Sequence, residues 1–285
     1  MALVAGCDTA LDSAQAPTAA SSHGTVEVVT EADIARQPES TPPTNNWVLY
    51  TRTPASVGTF VSGPASPPAG IGSFHMETPT GGDKLYLFNY DHIGLRTADI
   101  DGVSYSTYRS SASGGSGIVV PSINLEIDRG RTGEGYAVLV YEPYYNASTQ
   151  GPVADDVWQD WDAYDGGAGR WWATRDLDLD NNGTFECPRQ SCFFEWGDFA
   201  AGYPDATVLG AFGVNQGSGN PVTDAFADAL ALSWTGGAVT YDFEPYRVAT
   251  DKDACKSGGW EDLRRADGST FRNQGQCIRY VNTGR

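Results

Sequence analysis

Two stretches of this chain combine residue types that do chemistry. In the first, Asp178, Asp180 and Asn182 place oxygen-bearing side chains at every second position, Gly183 stands sixth and Glu186 follows. A loop with this spacing can curl round calcium, whose shell is built of carboxylate and carbonyl oxygens. Asp176 just upstream can join the set. The bidentate glutamate expected at the twelfth position is absent, because that place is Arg189. A solvated acidic turn accounts for the same residues, with Asn182-Gly183 as its hairpin signal. In the second stretch Trp158, Trp161, Tyr164, Trp171 and Trp172 crowd into fifteen positions among Asp160, Asp162 and Asp165. Sugars present flat C–H faces that stack on such rings, and carboxylates accept bonds from their hydroxyls, so the mixture suits a glycan site. The core of a β-sandwich also consumes tryptophan. Neighbouring strand residues point to opposite faces, so one ring of Trp171-Trp172 is expected inside. Trp158, Tyr164 and the other ring are then the expected exposed set, with Tyr144 and Tyr145 as candidates for the same edge.

Catalysis has less support. The strand Asn124-Leu125-Glu126-Ile127-Asp128 resembles the catalytic strand of laminarinase-type retaining glycosidases, which carries two working carboxylates about 5–5.5 Å apart in a Glu-x-Asp-x-x-Glu pattern. Here the third required place is Arg131, and Glu134 lies beyond Gly133 in an expected turn. Glu126 and Asp128 are therefore also read as the polar outer face of an amphipathic strand. His23 lies in a segment without structure signals, leaving His75 and His92, and no Gly-x-Ser-x-Gly elbow or phosphate-cradling loop occurs.

The cysteines carry an address. Cys187 and Cys192 are close in sequence, as are Cys255 and Cys277, so two local disulfides form easily and Cys7 is left over. Leu3-Val4-Ala5-Gly6-Cys7 has the small-residue approach of a bacterial lipoprotein processing site, although it is too short for a whole signal peptide. Lipidation at Cys7 and disulfides elsewhere place the expected protein outside the cytoplasm, secreted or held at the cell surface. No stretch approaches the ~20 apolar residues of a membrane helix, so membrane attachment is expected only through that lipid.

These residues need elements to position them. With 34 glycines, 14 tyrosines, 8 tryptophans and 2 methionines in 285 residues, the chain has the turn-rich, aromatic-rich profile of an all-β sandwich. A net charge of -18 repels a phosphate backbone and argues against nucleic acid as a partner. Residues 8–46 hold no Phe, Tyr or Trp, are rich in Ala, Ser, Thr and Pro, and read as a disordered tether behind a signal remnant at 1–7. Period-two patterns predict strands at Lys84 to Tyr90 and Ser122 to Asp128, with further strands at Tyr136 to Glu142 and, as a buried run, at Val208 to Val214. Ala225 to Trp234 suits a helix by propensity, but the glycines behind it and the strands around it predict a strand at Ala229 to Trp234, all within a sandwich spanning 47–250. In Ser122 to Asp128 the apolar face is Ile123, Leu125 and Ile127. From 251 to 285 the balance turns to seven Lys/Arg against five Asp/Glu, and the Cys255–Cys277 loop with its Asp267-Gly268 turn predicts a disulfide-closed hairpin appendix.

Several separated segments carry a resemblance: Gly72-Ser73-Phe74, Ser104-Tyr105-Ser106-Thr107-Tyr108, Trp158-Gln159-Asp160-Trp161-Asp162, Gly213-Val214-Asn215-Gln216-Gly217 and Asp228-Ala229-Leu230. In this order they resemble a group of secreted bacterial proteins, with a final Asp-x-Leu strand similar to that of jelly-roll carbohydrate-binding modules. The appendix, through Cys255-Lys256, Gly258-Gly259-Trp260, Phe271, Asn273-Gln274-Gly275 and Cys277, is similar to a tail on secreted actinobacterial proteins. The resemblance implies an all-β, jelly-roll-like antiparallel sandwich that binds a polysaccharide or cell-wall glycan, and fold analogy alone does not assign an activity. The expectation is a lipid-anchored, non-catalytic glycan-binding protein with calcium as a candidate cofactor. A polysaccharide hydrolase or lyase using carboxylates such as Glu126 and Asp128, or a purely structural envelope protein, are the alternatives.

Overall fold

The computed structural model describes residues 24–219 and 222–285. Cys7 and His23 lie outside the described residues. Alternation builds the strands: in Ser122–Asp128, Ile123, Leu125 and Ile127 are fully buried while Glu126 and Asp128 remain partly exposed. The same two-residue period buries Leu85 and Leu87 in Lys84–Asn89, and Ala137, Leu139 and Tyr141 in Tyr136–Tyr141.

The strands assemble into two sheets packed face to face. The seven-stranded sheet holds β1 (Thr25–Val29), β4 (Val57–Ser62), β5 (Gly72–Thr78), β7 (Ile100–Arg109), β10 (Trp158–Asp162), β14 (Thr223–Trp234) and β15 (Gly237–Phe243). The long β14 organises it, carrying β5 along its first half, β15 along its second, and β7 followed by β10 beyond its other edge. The eight-stranded sheet contains β2 (Ile34–Pro38), β3 (Trp47–Thr51), β6 (Lys84–Asn89), β8 (Ser122–Asp128), β9 (Tyr136–Tyr141), β11 (Arg170–Ala173), β12 (Phe194–Glu195) and β13 (Thr207–Gly217). Their order is β12-β11-β9-β8-β13-β6-β3-β2. Pairing is antiparallel except for β1 beside β15 and β2 beside β3. Between the sheets lies one core, in which Trp47 of one sheet meets Tyr241 of the other edge-on at 4.8 Å. Each large apolar side chain closed into it contributes about 1.5–3 kcal/mol. Two short helices, α1 (Ala147–Gln150) and α2 (Trp196–Gly202), lie in the connections.

The fold corrects one boundary. Residues 24–46, expected within the tether, supply β1 and β2, which add in parallel to the edges of existing sheets. Edge addition draws on main-chain hydrogen bonds and a few inward side chains such as Val29 and Ile34, so it does not need the aromatic residues that an independent core requires.

Both expected disulfides form, Cys187 to Cys192 and Cys255 to Cys277. They place the folded chain in an oxidising compartment. No helix among the described residues is long and apolar enough to cross a membrane. In the appendix the expected hairpin is reduced to a tight turn at Asp267-Gly268, with Arg264 bridged to Thr270. A parallel pair, β16 (Arg247–Val248) and β17 (Leu263–Arg264), joins it to the preceding chain. An unexpected helix, α3 (Gln274–Thr283), follows. Asn273 caps it by accepting from Gln276 N–H at 2.9 Å, and Cys277 packs with Leu263 and Phe271 in a small separate core.

Candidate functional site

On the outer face of the eight-stranded sheet, the residues opposite the core-facing leucines form a groove of about 680 Å³. The alternation that buries Leu85 and Leu87 turns Tyr86 and Phe88 outward, and β3 adds Tyr50 beside them. Asn124 and Glu126 come from β8, Tyr136 and Val138 from β9, and Tyr90 from just beyond β6. Gly210 keeps the floor open beneath Glu126: a β-carbon there would lie 2.3 Å from the carboxylate. Three of the large apolar side chains exposed on this protein, Ile93 (60%), Leu209 (44%) and Tyr136 (41%), line this one groove. Their convergence distinguishes it from scattered surface apolar residues.

Hydrogen bonds hold its polar groups in place. Glu126 accepts from the Ala211 N–H and the Tyr136 hydroxyl, both at 3.1 Å. At the far side Glu39 accepts two bonds from Arg52, at 2.6 and 2.8 Å, and a third from Tyr86 Oη at 2.7 Å. The Arg52 bonds lead in drawing the Glu39 pKa down to about 2 against the opposing effect of burial, so this carboxylate stays charged. Burial pushes Tyr50, Tyr86, Tyr90 and Tyr136 above the ordinary phenol value, which keeps their hydroxyls protonated. Lys84, 4.8 Å over the Tyr86 ring, is shifted down, first by burial and then by Arg52. The result is a set of neutral hydroxyls, ring faces and two carboxylates along one concave surface.

The residues expected from sequence are divided among different surroundings. Trp161 and Trp171 are core residues, 1% and 0% exposed, and donate to Thr107 Oγ1 and the Ala163 carbonyl, each at 2.8 Å. Neither ring can stack on a sugar, because the facing sheet covers them. Tyr164 is half-buried against the same core, near Trp196. Trp172 is half-buried in β11, paired with Val140, and its indole donates to Glu142 at 3.2 Å. Trp158, Asp160 and Asp162 share the outer face of the other sheet. Trp158 stands there in a cross-strand row with Tyr108, Phe226 and His75. Successive ring centroids in that row are 5.7, 5.8 and 4.5 Å apart. Asp160 accepts from Ser106 Oγ at 2.6 Å, while Asp162 caps the backbone of Tyr164 and Asp165. Tyr144 and Tyr145 lie in a turn, where Tyr145 packs on Phe193 at 4.2 Å.

In the acidic loop, Asp178, Asp180 and Glu186 bring carboxylate oxygens within 4.8 Å of one another. Asp176 is used elsewhere, accepting from Arg189 N–H at 2.8 Å, and Asn182 Oδ1 accepts from Thr184 N–H at 2.8 Å. The clustered oxygens are engaged by the loop itself: Asp178 takes the N–H groups of Asn182 and Gly183, and Glu186 that of Leu179. On β8, Glu126 reaches the groove, but Asp128 accepts from Gly130 N–H at 2.9 Å and does not line it. Of the residues that do line the groove, Tyr50, Tyr86, Tyr90, Tyr136 and Glu39 carried no site expectation. The available signal was the alternation at Lys84 to Tyr90, which sets three rings on the face opposite two leucines.

Fold and groove together define a disulfide-bearing, two-sheet β-sandwich with an aromatic cleft on one outer face. The chain matches no protein-family model, no curated protein and no solved structure.

Proposed function

We propose that this protein is an extracytoplasmic glycan-binding β-sandwich and that a polysaccharide chain lies in the groove across β3, β6, β8 and β9. The observation that carries this reading is the convergence of Tyr50, Tyr86, Tyr90 and Tyr136 with Asn124 and Glu126 around one cleft with an exposed apolar rim. Rings accept the C–H faces of sugars, while fixed hydroxyl, amide and carboxylate groups match their hydroxyls, the mixture typical of small-ligand sites. Binding is favoured over hydrolysis because Asp128 does not line the cleft with Glu126 and the other carboxylate there, Glu39, is engaged by Arg52 and Tyr86. An acyl chain on Cys7 would hold such a domain at the cell surface, and intact-mass analysis of the mature N-terminal peptide from the native host tests that part.

Calorimetric titration with a panel of soluble cell-wall polysaccharides tests the central claim. Binding by the wild type that weakens on Tyr86→Ala supports it. Wild-type protein that binds none of the panel, or binding indifferent to both Tyr86→Ala and Tyr136→Ala, removes the groove as the site and leaves a structural envelope role.

A further inference from the structure

A second acidic group differs from the Asp178 loop in being buried. The connection between β4 and β5, residues 63–71, folds over Asp228, Asp242 and Glu244. These residues are 0%, 8% and 4% exposed. Asp228 accepts from the N–H groups of Ala69 and Phe243, at 2.9 and 3.0 Å. Glu244 Oε1 accepts from Ile71 and Gly72, at 2.5 and 3.1 Å. Glycine is required at position 70, with φ of 51°, because a β-carbon would lie 1.7 Å from Glu244 Oε1 and 2.9 Å from Asp242 Oδ1. The main chain is thereby drawn onto the carboxylates.

Two of the remaining oxygens lack a donor. Asp242 Oδ1 and Glu244 Oε2 are shut off from solvent and accept from no donor among the described residues, although the two carboxyl groups are within hydrogen-bond reach of one another. Burial raises the pKa of all three groups, to about 7 for Asp228 and Glu244. Among the described residues no Lys, Arg or His forms an ion pair with any of the three. Buried carboxylates are found paired, protonated or bound to a metal. One proton shared between Asp242 and Glu244 would give both oxygens a partner but offset a single negative charge, whereas a divalent cation gives both a partner and offsets two.

We propose that Asp242 Oδ1 and Glu244 Oε2 hold a divalent cation of the calcium class beneath the 63–71 connection, with Asp228 fastening that connection in place. The donors are all oxygen, as hard cations require, and main-chain carbonyls and water would complete a shell of about six to eight ligands. In this arrangement the cation lies where the end of β15 meets the β4–β5 connection, whose Pro64 carbonyl also accepts from Trp158 Nε1 at 2.9 Å.

Calorimetric titration of EDTA-treated protein with calcium chloride, up to about 5 mM and so above the ~1 mM affinities of weak extracellular sites, tests the proposal. The proteins compared are the wild type, Glu244→Gln, and Asp178→Asn combined with Glu186→Gln. Expected are calcium binding by wild type, affinity within about threefold of it in the loop double variant, and a loss of at least about tenfold in Glu244→Gln, equal to ~1.4 kcal/mol. Should Glu244→Gln not fold, retention of binding by the loop double variant still supports the site and its loss overturns it. The proposal is also overturned if wild type gives no calcium signal, or if the signal survives in Glu244→Gln and vanishes in the loop double variant.

Discussion

The two outer faces of the sandwich use aromatic residues in opposite ways. On the seven-stranded sheet Trp158, Tyr108, Phe226 and His75 stand directly across from one another and pack ring on ring, so each covers its neighbour. On the eight-stranded sheet the tyrosines of β3, β6 and β9 surround a cleft whose floor carries Gly210. Aromatic side chains in register on adjacent strands consume one another's surface. Tyr50 and Tyr86 pair in this way too, but β13 and β8, carrying Gly210 and Glu126, separate them from Tyr136, which is 41% exposed, so the sheet stays open between. Density of aromatic residues along the chain therefore does not locate a site, whereas the gaps between them in the sheet do.

Substitutions can break or sharpen this contrast. The largest effect is expected from Trp171→Ala, which empties a core position packed on Tyr141 and Trp196 at 5.5 and 5.2 Å. Urea denaturation should show a loss of about 3–5 kcal/mol, with glycan affinity per folded molecule unchanged. Tyr136→Ala is expected to do the reverse, weakening polysaccharide binding about tenfold, or ~1.4 kcal/mol, while shifting stability by less than about 0.5 kcal/mol. Trp158→Ala should leave affinity intact; if it matched the Tyr136→Ala loss in the same titration, the contrast between the faces would collapse.

A smaller loss is expected for Glu126→Gln, about 0.5–1 kcal/mol of affinity if one bond to a sugar hydroxyl is weakened. Reducing-end assays run beside it should find no chain cleavage by wild type. Cleavage that disappears in Glu126→Gln would instead make the groove an active site. The smallest effect concerns acid. Glu39 has its pKa lowered from 4.5 to about 2, so the unfolded chain binds a proton there first, and the stabilisation is complete above about pH 4.5 and fades as the pH falls toward 2. Melting temperature recorded over that window should fall less for Glu39→Gln than for wild type. Because the Glu39–Arg52 pair is partly exposed, added salt should shrink the difference.

Local pattern made much of the architecture legible. The strand at Ser122 to Asp128 and its buried face follow from alternation alone; the strand ending at Trp234, whose Ala- and Leu-rich run also suits a helix, follows from the glycines behind it and the strands around it. Edge strands β1 and β2 were not legible, because their stability resides in the partner strand. Helix α3 was hidden for a related reason: Gln274 to Thr283 contains few strong helix formers and depends on the Cys255 bridge and the Phe271 core. The groove was legible only in pieces. Alternation sets Tyr86 opposite Leu87, but nothing local says that Tyr50, Glu126 and Tyr136 are its neighbours.

By itself, then, the sequence determined the all-β class, the local pairing of the cysteines and the core-facing side of strands such as Ser122 to Asp128, since these depend on neighbours along the chain. Tertiary structure alone decided which aromatic rings are available to a ligand, that Glu39 meets Arg52 and Tyr86, and that Asp228, Asp242 and Glu244 are shut beneath one connection. These relations join segments from different strands, and their energies arise from burial and charge pairing that exist only once the sheets have closed.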